Sequence, residues 1–366
     1  MGQRISALDA TMRALGAKMG EWNNMPVAFR FPSDPHLEHD AIRETAGMWD
    51  TSALTKIQVR GADALAAVDY LVTRNMAKIP VGMSAYCPIL KEDGHFCDDG
   101  IVFHVAENHF LVAGSIGPSF QLLTEYGKGR DLSVELDEDL HIITVQGPKA
   151  IDLLDPLTDA TLRELRFCRQ IHADLCGTGM MISRTGYSGE RGYELYIRGG
   201  DAVGVWESLR THAKPLGIRP VGFDGLEMVH IESGLMAYGA EATEENTPWE
   251  VDMGWAVSRT KGDFRGKEAV FALEGKEKVK FYGIEADHDD VVEHNAELSV
   301  DGEKVGHVTT PAFSRRLNKS LTLVHLVPWA AKDGTRLDLK GPTIECGATA
   351  RPIPFVDPGR TRQRAM

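Results

Sequence analysis

Two stretches decide how this chain is read: Gly94-His95-Phe96-Cys97-Asp98-Asp99-Gly100-Ile101-Val102, and Ser183-Arg184-Thr185-Gly186-Tyr187-Ser188-Gly189-Glu190-Arg191-Gly192-Tyr193-Glu194. In the first, two adjacent carboxylates enter an apolar strand. In the second, a glycine-rich turn runs into Tyr193-Glu194-Leu195-Tyr196, which has strand character. A carboxylate carried into a strand is costly to bury unless something pairs with it. The two segments together point to a site with fixed acids and a ring-shaped partner.

Outward from these stretches, helices and strands mix. Ser33-Asp34-Pro35 opens a helix expected to run to Gly47, with proline near its first turn and glycine at its exit. Residues 63–73 place Leu65, Val68, Leu71 and Val72 on one helical face, residues 148–154 start a helix after Gln146-Gly147, and Val203, Trp206 and Leu209 share a face of a helix ending near Gly217. Residues 56–59, 85–90, 100–105, 109–113 and 140–145 read as strands, punctuated by the turn pairs Asp93-Gly94 and Glu107-Asn108. There is no regular strand–helix–strand cadence, so the expected class is α+β rather than a doubly wound sheet.

The pattern changes near residue 275. Leu273-Glu274-Gly275-Lys276-Glu277-Lys278 is polar and linker-like, and beyond it the chain reads as short strands over 279–284, 297–300, 305–309, 321–326, 335–339 and 348–352, with Asp301-Gly302 as a hairpin signal. Residues 1–270 are expected to carry the site, and residues 276–366 to form a small β-barrel or sandwich.

Composition narrows the function. The chain has 366 residues, 25% of them charged, with a net charge of −13. That size suits two or three domains. That charge argues against a nucleic-acid partner, which needs a basic face, and against an anionic membrane surface. No stretch approaches a transmembrane span, and no secretory leader is evident. Cys87, Cys97, Cys168, Cys176 and Cys346 form no Cys-x-x-Cys pair. Reduced thiols in a cytoplasmic setting are the plain expectation. The histidines show no zinc-ligand spacing, so no metal site is expected.

Taken in order, the motifs resemble the glycine-cleavage T-protein family of tetrahydrofolate-dependent one-carbon transferases. Ala46-Gly47-Met48-Trp49-Asp50-Thr51-Ser52, Val145-Gln146-Gly147-Pro148, the two opening stretches, Glu232-Ser233-Gly234-Leu235, Tyr238-Gly239, Asn246-Thr247-Pro248 and Asp263-Phe264-Arg265-Gly266-Lys267-Glu268 follow the family's order along nearly the whole chain. The resemblance implies a three-lobed cloverleaf around a central folate channel, two interwoven α+β lobes and a C-terminal β-barrel domain. It implies tetrahydrofolate as cofactor. It places Asp99 beside the reactive nitrogens of the folate, Glu194 on the pterin, and Tyr86 and Tyr187 along the pocket. A carboxylate suits the pterin because the aminopyrimidinone edge offers two parallel N–H donors.

One segment departs from the aminomethyltransferase pattern. Leu226 and His230, within Gly225-Leu226-Glu227-Met228-Val229-His230-Ile231-Glu232-Ser233, stand where that pattern has two arginines. The altered segment is similar to the folate-dependent demethylases of dimethylsulfoniopropionate and of aryl methyl ethers. The implied activity is methyl transfer from a small methylated substrate to N5 of tetrahydrofolate. The alternatives are the glycine-cleavage aminomethyltransferase, which docks a lipoyl carrier protein and forms 5,10-methylenetetrahydrofolate, and a non-catalytic folate-binding accessory protein.

Each residue also has an ordinary reading. Asp98 and Asp99 can cap a turn, and Asp98 is expected to be structural. Glu194 alone would suit the open face of an edge strand. Tyr86 and Tyr187 can be core aromatics with satisfied hydroxyls. Trp22, Trp49, Phe103 and His230 are the candidate substrate contacts; His230 can instead be a structural helix residue, and the three aromatics either pack in the core or face a methylated cation. Arg351 and Arg360 are candidates for the arginine the family sets near the folate tail.

Overall fold

The computed structural model describes residues 3–114 and 116–365. It has three principal sheets and a small N-terminal hairpin, Lys18–Trp22 with Met25–Arg30. A five-stranded antiparallel sheet runs in the order Met83–Leu90, Phe96–Ala106, His109–Gly114, Thr55–Arg60, Ser133–Leu136. A six-stranded sheet runs Gln170–Leu175, Thr178–Ser183, Gly192–Arg198, Leu140–Gln146, Gly47–Asp50, Arg219–Pro220, with only the last pair parallel. The third is a closed six-stranded barrel: Lys280–Ala286, Lys319–Leu326, Glu303–Ser314, Glu297–Val300, Arg336–Lys340 and Glu345–Arg351.

Local chemistry accounts for several of these elements. Asp34 caps helix Pro35–Glu44, its carboxylate accepting the N–H of His36 at 3.0 Å, with Pro35 in the first turn. The helix stops at Glu44, short of the expected Gly47, because residues 47–50 are taken up as a strand along Leu140–Gln146. Asp301 and Gly302, both at positive φ (50° and 80°), make the tight turn between Glu297–Val300 and Glu303–Ser314. Closure settles the barrel-or-sandwich alternative, because Lys280–Ala286 pairs with both Lys319–Leu326 and Glu345–Arg351.

The largest core lies between the six-stranded sheet and helix Gly199–Ala213, around the fully buried Trp206 and Tyr193. A second core backs the five-stranded sheet against helix Ala64–Leu71, and a third fills the barrel. Helix Phe223–Glu232 packs against helix Pro35–Glu44 and the barrel strand Glu303–Ser314, joining the parts. Among the described residues, no helix is long and apolar enough to cross a membrane, and the five cysteines are free thiols.

A buried ionic cluster fastens this junction. The Arg43 guanidinium donates to Glu232 (2.8 Å), Glu190 (2.9 Å), the Ser188 and Val229 carbonyls (3.0 and 3.1 Å) and the Ser233 hydroxyl (3.1 Å). Glu232 also lies 3.0 Å from His39 Nε2 and accepts the Ser314 hydroxyl at 2.6 Å. Arg362 reaches the same Glu190 at 2.8 Å. Burial opposes ionisation of Glu232, but His39, Arg43 and Ser314 outweigh it and hold its carboxyl at about 2.

Candidate active site

The acid pair lies inside strand Phe96–Ala106, where Asp99 opposes Pro88 and Asp98 opposes Ile89 on Met83–Leu90. Successive residues of a strand point to opposite faces, so the two carboxylates part company. Asp98, 2% exposed, accepts the backbone N–H of Asp99 at 2.9 Å and the hydroxyl of Ser119, the first residue of helix Ser119–Tyr126. Asp99, 8% exposed, accepts the hydroxyl of Tyr86. Burial and the neighbouring Asp99 charge push the Tyr86 phenol well above its ordinary range, so it stays a donor.

The glycine-rich turn joins Thr178–Ser183 to Gly192–Arg198 and is held from beneath. A Cβ on Gly186 would fall 2.3 Å from Gln146 Nε2, so a larger residue there would displace the Gln146 amide that the turn packs on. The Ser188 hydroxyl donates to Gln146 Oε1, and Arg43 holds Ser188 and Glu190. Glu194 lies on the strand beyond, opposite Thr144 and Ser183. Its Oε2 accepts the hydroxyls of Thr185 (2.6 Å) and Tyr196 (3.2 Å). Burial lifts its carboxyl above the ordinary range, and the two hydroxyls offset only part of this. Among the described residues no cation pairs with it. A buried carboxylate with hydroxyl donors and no cation fits a ligand that brings two N–H donors, as an aminopyrimidinone does.

Tyr187 bridges the turn to helix Phe223–Glu232. Its ring stacks on His230, centroids 5.5 Å apart and 24° from parallel, and its hydroxyl donates to the Met236 carbonyl at 3.2 Å. Burial and the charges of Glu241, Asp99 and Glu227 raise its phenol well above the ordinary range. Tyr86 in turn feels Tyr187. The structure therefore brings Asp99, Tyr86, Tyr187 and His230 into one neighbourhood. Glu194 joins it through the turn, since its partner Thr185 is two residues from Tyr187.

Other candidates fall elsewhere. Phe103 is fully buried, edge-on to Tyr196 at 5.2 Å, one layer behind Glu194. Trp49 is 4% exposed in a core cluster with Ile42, Val221, Leu226 and Val229. Trp22 packs on Phe223 at 5.6 Å, at the start of the helix that carries His230. Arg351 is taken up by Asp333 and Glu285 on the barrel, whereas Arg360 donates to the Gly234 carbonyl at 3.4 Å, just past that helix.

Sequence reasoning missed Glu241. It has no exposed surface and lies 3.5 Å from His230 Nε2. It sits in the 237–242 loop, where no periodic pattern marks it. The signal available was the carboxylate itself, three residues beyond Tyr238 in an otherwise small, apolar segment.

Comparison with known proteins identifies the family and the fold. Residues 8–261 match the family model described as the GCVT N-terminal domain, and residues 280–357 match the glycine cleavage T-protein C-terminal barrel domain. A heme-dependent oxidative N-demethylase gamma subunit from Ectopseudomonas mendocina is 34% identical over 99% of this chain and 98% of its own length. An aminomethyltransferase from Saccharopolyspora erythraea is 31% identical over 96% and 98%, and one from Bacillus subtilis 33% over 88% and 89%. The crystal structure of aminomethyltransferase T of the glycine cleavage system from Bartonella henselae superposes with a TM-score of 0.90 over 97% of this chain and 99% of that one, at 24% identity.

Proposed function

This chain belongs to the glycine-cleavage T-protein family of folate-dependent one-carbon transferases, and on that premise we propose that it binds tetrahydrofolate and moves a methyl group onto N5 from a small methylated compound. The observation that carries the reading is Asp99: a nearly buried carboxylate, fixed by the Tyr86 hydroxyl, beside the Tyr187–His230 stack. Glu194 receives the pterin edge. Asp99 orients N5 and stabilises the positive charge that N5 acquires as it attacks the methyl carbon. Transfer requires N5, the methyl carbon and the leaving atom in line, so positioning dominates the rate. Leu226 supports this assignment over the aminomethyltransferase one: where that pattern has arginine, this chain has an aliphatic side chain packed with Trp49. The name of the N-demethylase relative favours a nitrogen-bound methyl donor.

That same name supports a second reading. An N-methyl carbon oxidised by a partner subunit reaches the folate at the formaldehyde level, and the product is then 5,10-methylenetetrahydrofolate. The aminomethyltransferase reading leads to this product too, with a lipoyl carrier protein as donor.

The test supplies the chain with tetrahydrofolate and, separately, dimethylamine, trimethylamine, N-methylglycine, dimethylsulfoniopropionate, vanillate, formaldehyde and an aminomethylated lipoyl protein. Folate products are identified by mass. The expected result is 5-methyltetrahydrofolate from a methylated small molecule alone. Methylenetetrahydrofolate formed from formaldehyde faster than by the spontaneous condensation without the chain favours the partner-subunit reading. Methylenetetrahydrofolate and ammonia, formed only with the lipoyl protein, establish the aminomethyltransferase.

A further inference from the structure

The imidazole that stands in place of a family arginine is held in an arrangement suited to moving protons. His230 is 6% exposed on helix Phe223–Glu232, and its Nε2 faces Glu241 Oε2 at 3.5 Å. Glu241 is fixed on every side. Its Oε2 accepts the Ala237 N–H at 2.9 Å, and its Oε1 accepts the hydroxyl of Thr310 and, at 3.4 Å, that of Thr309. Its backbone carbonyl lies 2.7 Å from His325 Nε2. Two barrel strands thus press a loop carboxylate against a helix histidine.

Burial pushes the Glu241 carboxyl up, but His230, Thr310 and the Ala237 N–H together bring it below the ordinary range. An ionised carboxylate facing Nε2 favours a proton on that nitrogen, which leaves Nδ1 as the lone-pair atom of the neutral ring. Nε2 is sealed from solvent and makes no hydrogen bond, so the Glu241 carboxylate 3.5 Å away acts on it through charge, whereas Nδ1 is not sealed and has no hydrogen bond to a described residue. A ring turned by a buried carboxylate, with its second nitrogen open, is the geometry of an oriented acid–base group.

We propose that Glu241 and His230 are the acid–base pair of this site: Glu241 is a positioning residue whose charge keeps a proton on Nε2, and His230 Nδ1 takes the proton that the folate nitrogen sheds as its new carbon bond forms. This rests on the tetrahydrofolate reading above and is indifferent to which donor supplies the carbon. The nitrogen lone pair forms the bond to the one-carbon unit, and the bond from that carbon to its donor breaks, its electron pair leaving with the donor. The nitrogen is then a cation still carrying its proton. His230 Nδ1 removes that proton, the N–H electron pair returns to nitrogen, and Glu241 steadies the imidazolium. The charges facing the ring are Glu241 from the loop, Glu227 from its own helix and, through the Tyr187 ring, Asp99 from the sheet. His294 of the barrel acts on Glu227, while His39 and Arg43 of the adjoining helix are directed at Glu232.

The test uses the full chain, tetrahydrofolate and the donors named above. The pH dependence of kcat/KM is compared with the titration of the His230 ring followed by NMR. In the wild-type chain the rate should fall on the acid side with the midpoint of the ring titration. Glu241→Gln should move both midpoints together, because it removes the charge that faces the ring, and Glu241→Asp should restore them. His230→Gln should abolish that limb and lower kcat by roughly a hundredfold or more, with tetrahydrofolate affinity held within about threefold. A rate profile that ignores the ring titration, or a His230→Gln variant of undiminished kcat, overturns the pair. Both of those measurements stand even where Glu241→Gln does not fold. In either case wild-type folate binding and turnover survive, which separates failure of the pair from failure of the folate reading. Absence of folate binding and turnover in the wild-type chain overturns both.

Discussion

Asp98 and Asp99 are adjacent in sequence yet face opposite ways, and the consequences for mutation differ accordingly. Asp98 serves the frame, receiving Ser119 and the Asp99 N–H. Asp98→Asn should lower stability by about 1–3 kcal/mol, the cost of disturbing a buried hydrogen-bonded charge, with little change in kcat once folded. Asp99→Asn should lower kcat and kcat/KM together while folate affinity holds, because its interaction strengthens as charge develops on N5. Thermal melts and steady-state rates on the two variants check this, and exchanged phenotypes would assign the catalytic carboxylate to Asp98. Glu194→Gln should weaken tetrahydrofolate binding on the order of tenfold to a hundredfold, following the roughly 1.5–3 kcal/mol worth of a charge-assisted hydrogen bond. Calorimetry should also show proton release on binding to the wild-type chain at weakly acidic pH. The free Glu194 carboxyl titrates above its ordinary range, and a ligand that donates to the carboxylate draws it back down. The acid pair and the Tyr-Glu strand were legible in the sequence because acids among apolar residues stand out. Glu241 was not, because its partners Thr310 and His325 are brought to it only by the barrel.

At the scale of elements, the sequence showed most clearly what local chemistry decides. The Asp34-Pro35 helix start and the Asp301-Gly302 hairpin are written in adjacent residues. Closure of the barrel is not, since it depends on pairing Lys280–Ala286 with Glu345–Arg351 across the whole C-terminal region. The Arg43 cluster is equally non-local, joining two helices, the glycine-rich turn and the C-terminal arm. Arg43→Met should cost about 3–5 kcal/mol, because it takes the guanidinium from two buried carboxylates and leaves Glu232 to His39 and Ser314 and Glu190 to Arg362; urea denaturation measures this directly. The sign of the pH dependence follows from Glu232, which is lowered from 4.5 to about 2. Its contribution is complete above 4.5 and is lost as pH falls through about 2. Glu232→Gln should therefore flatten the acid limb of stability between those values and leave the neutral and alkaline limbs unchanged in slope.

For the whole molecule, the folate reading makes a simple demand. A ligand that binds only the folded chain stabilises it by about 2.7 kcal/mol at a hundredfold excess over its dissociation constant. Tetrahydrofolate should accordingly raise the melting temperature in a concentration-dependent manner, and the rise should shrink in Glu194→Gln. A melting temperature indifferent to millimolar tetrahydrofolate would count decisively against the site. The Arg43 cluster also has a kinetic consequence. Its contacts join residues 189, 147 and 172 positions apart in the chain, so none of them forms until distant segments have already met. Such contacts repay the entropy of loop closure late, which slows assembly and prolongs the life of sticky partly formed states. Refolding from denaturant should therefore be slow and should benefit from chaperones, with the lobes collapsing first and the ionic junction locking last.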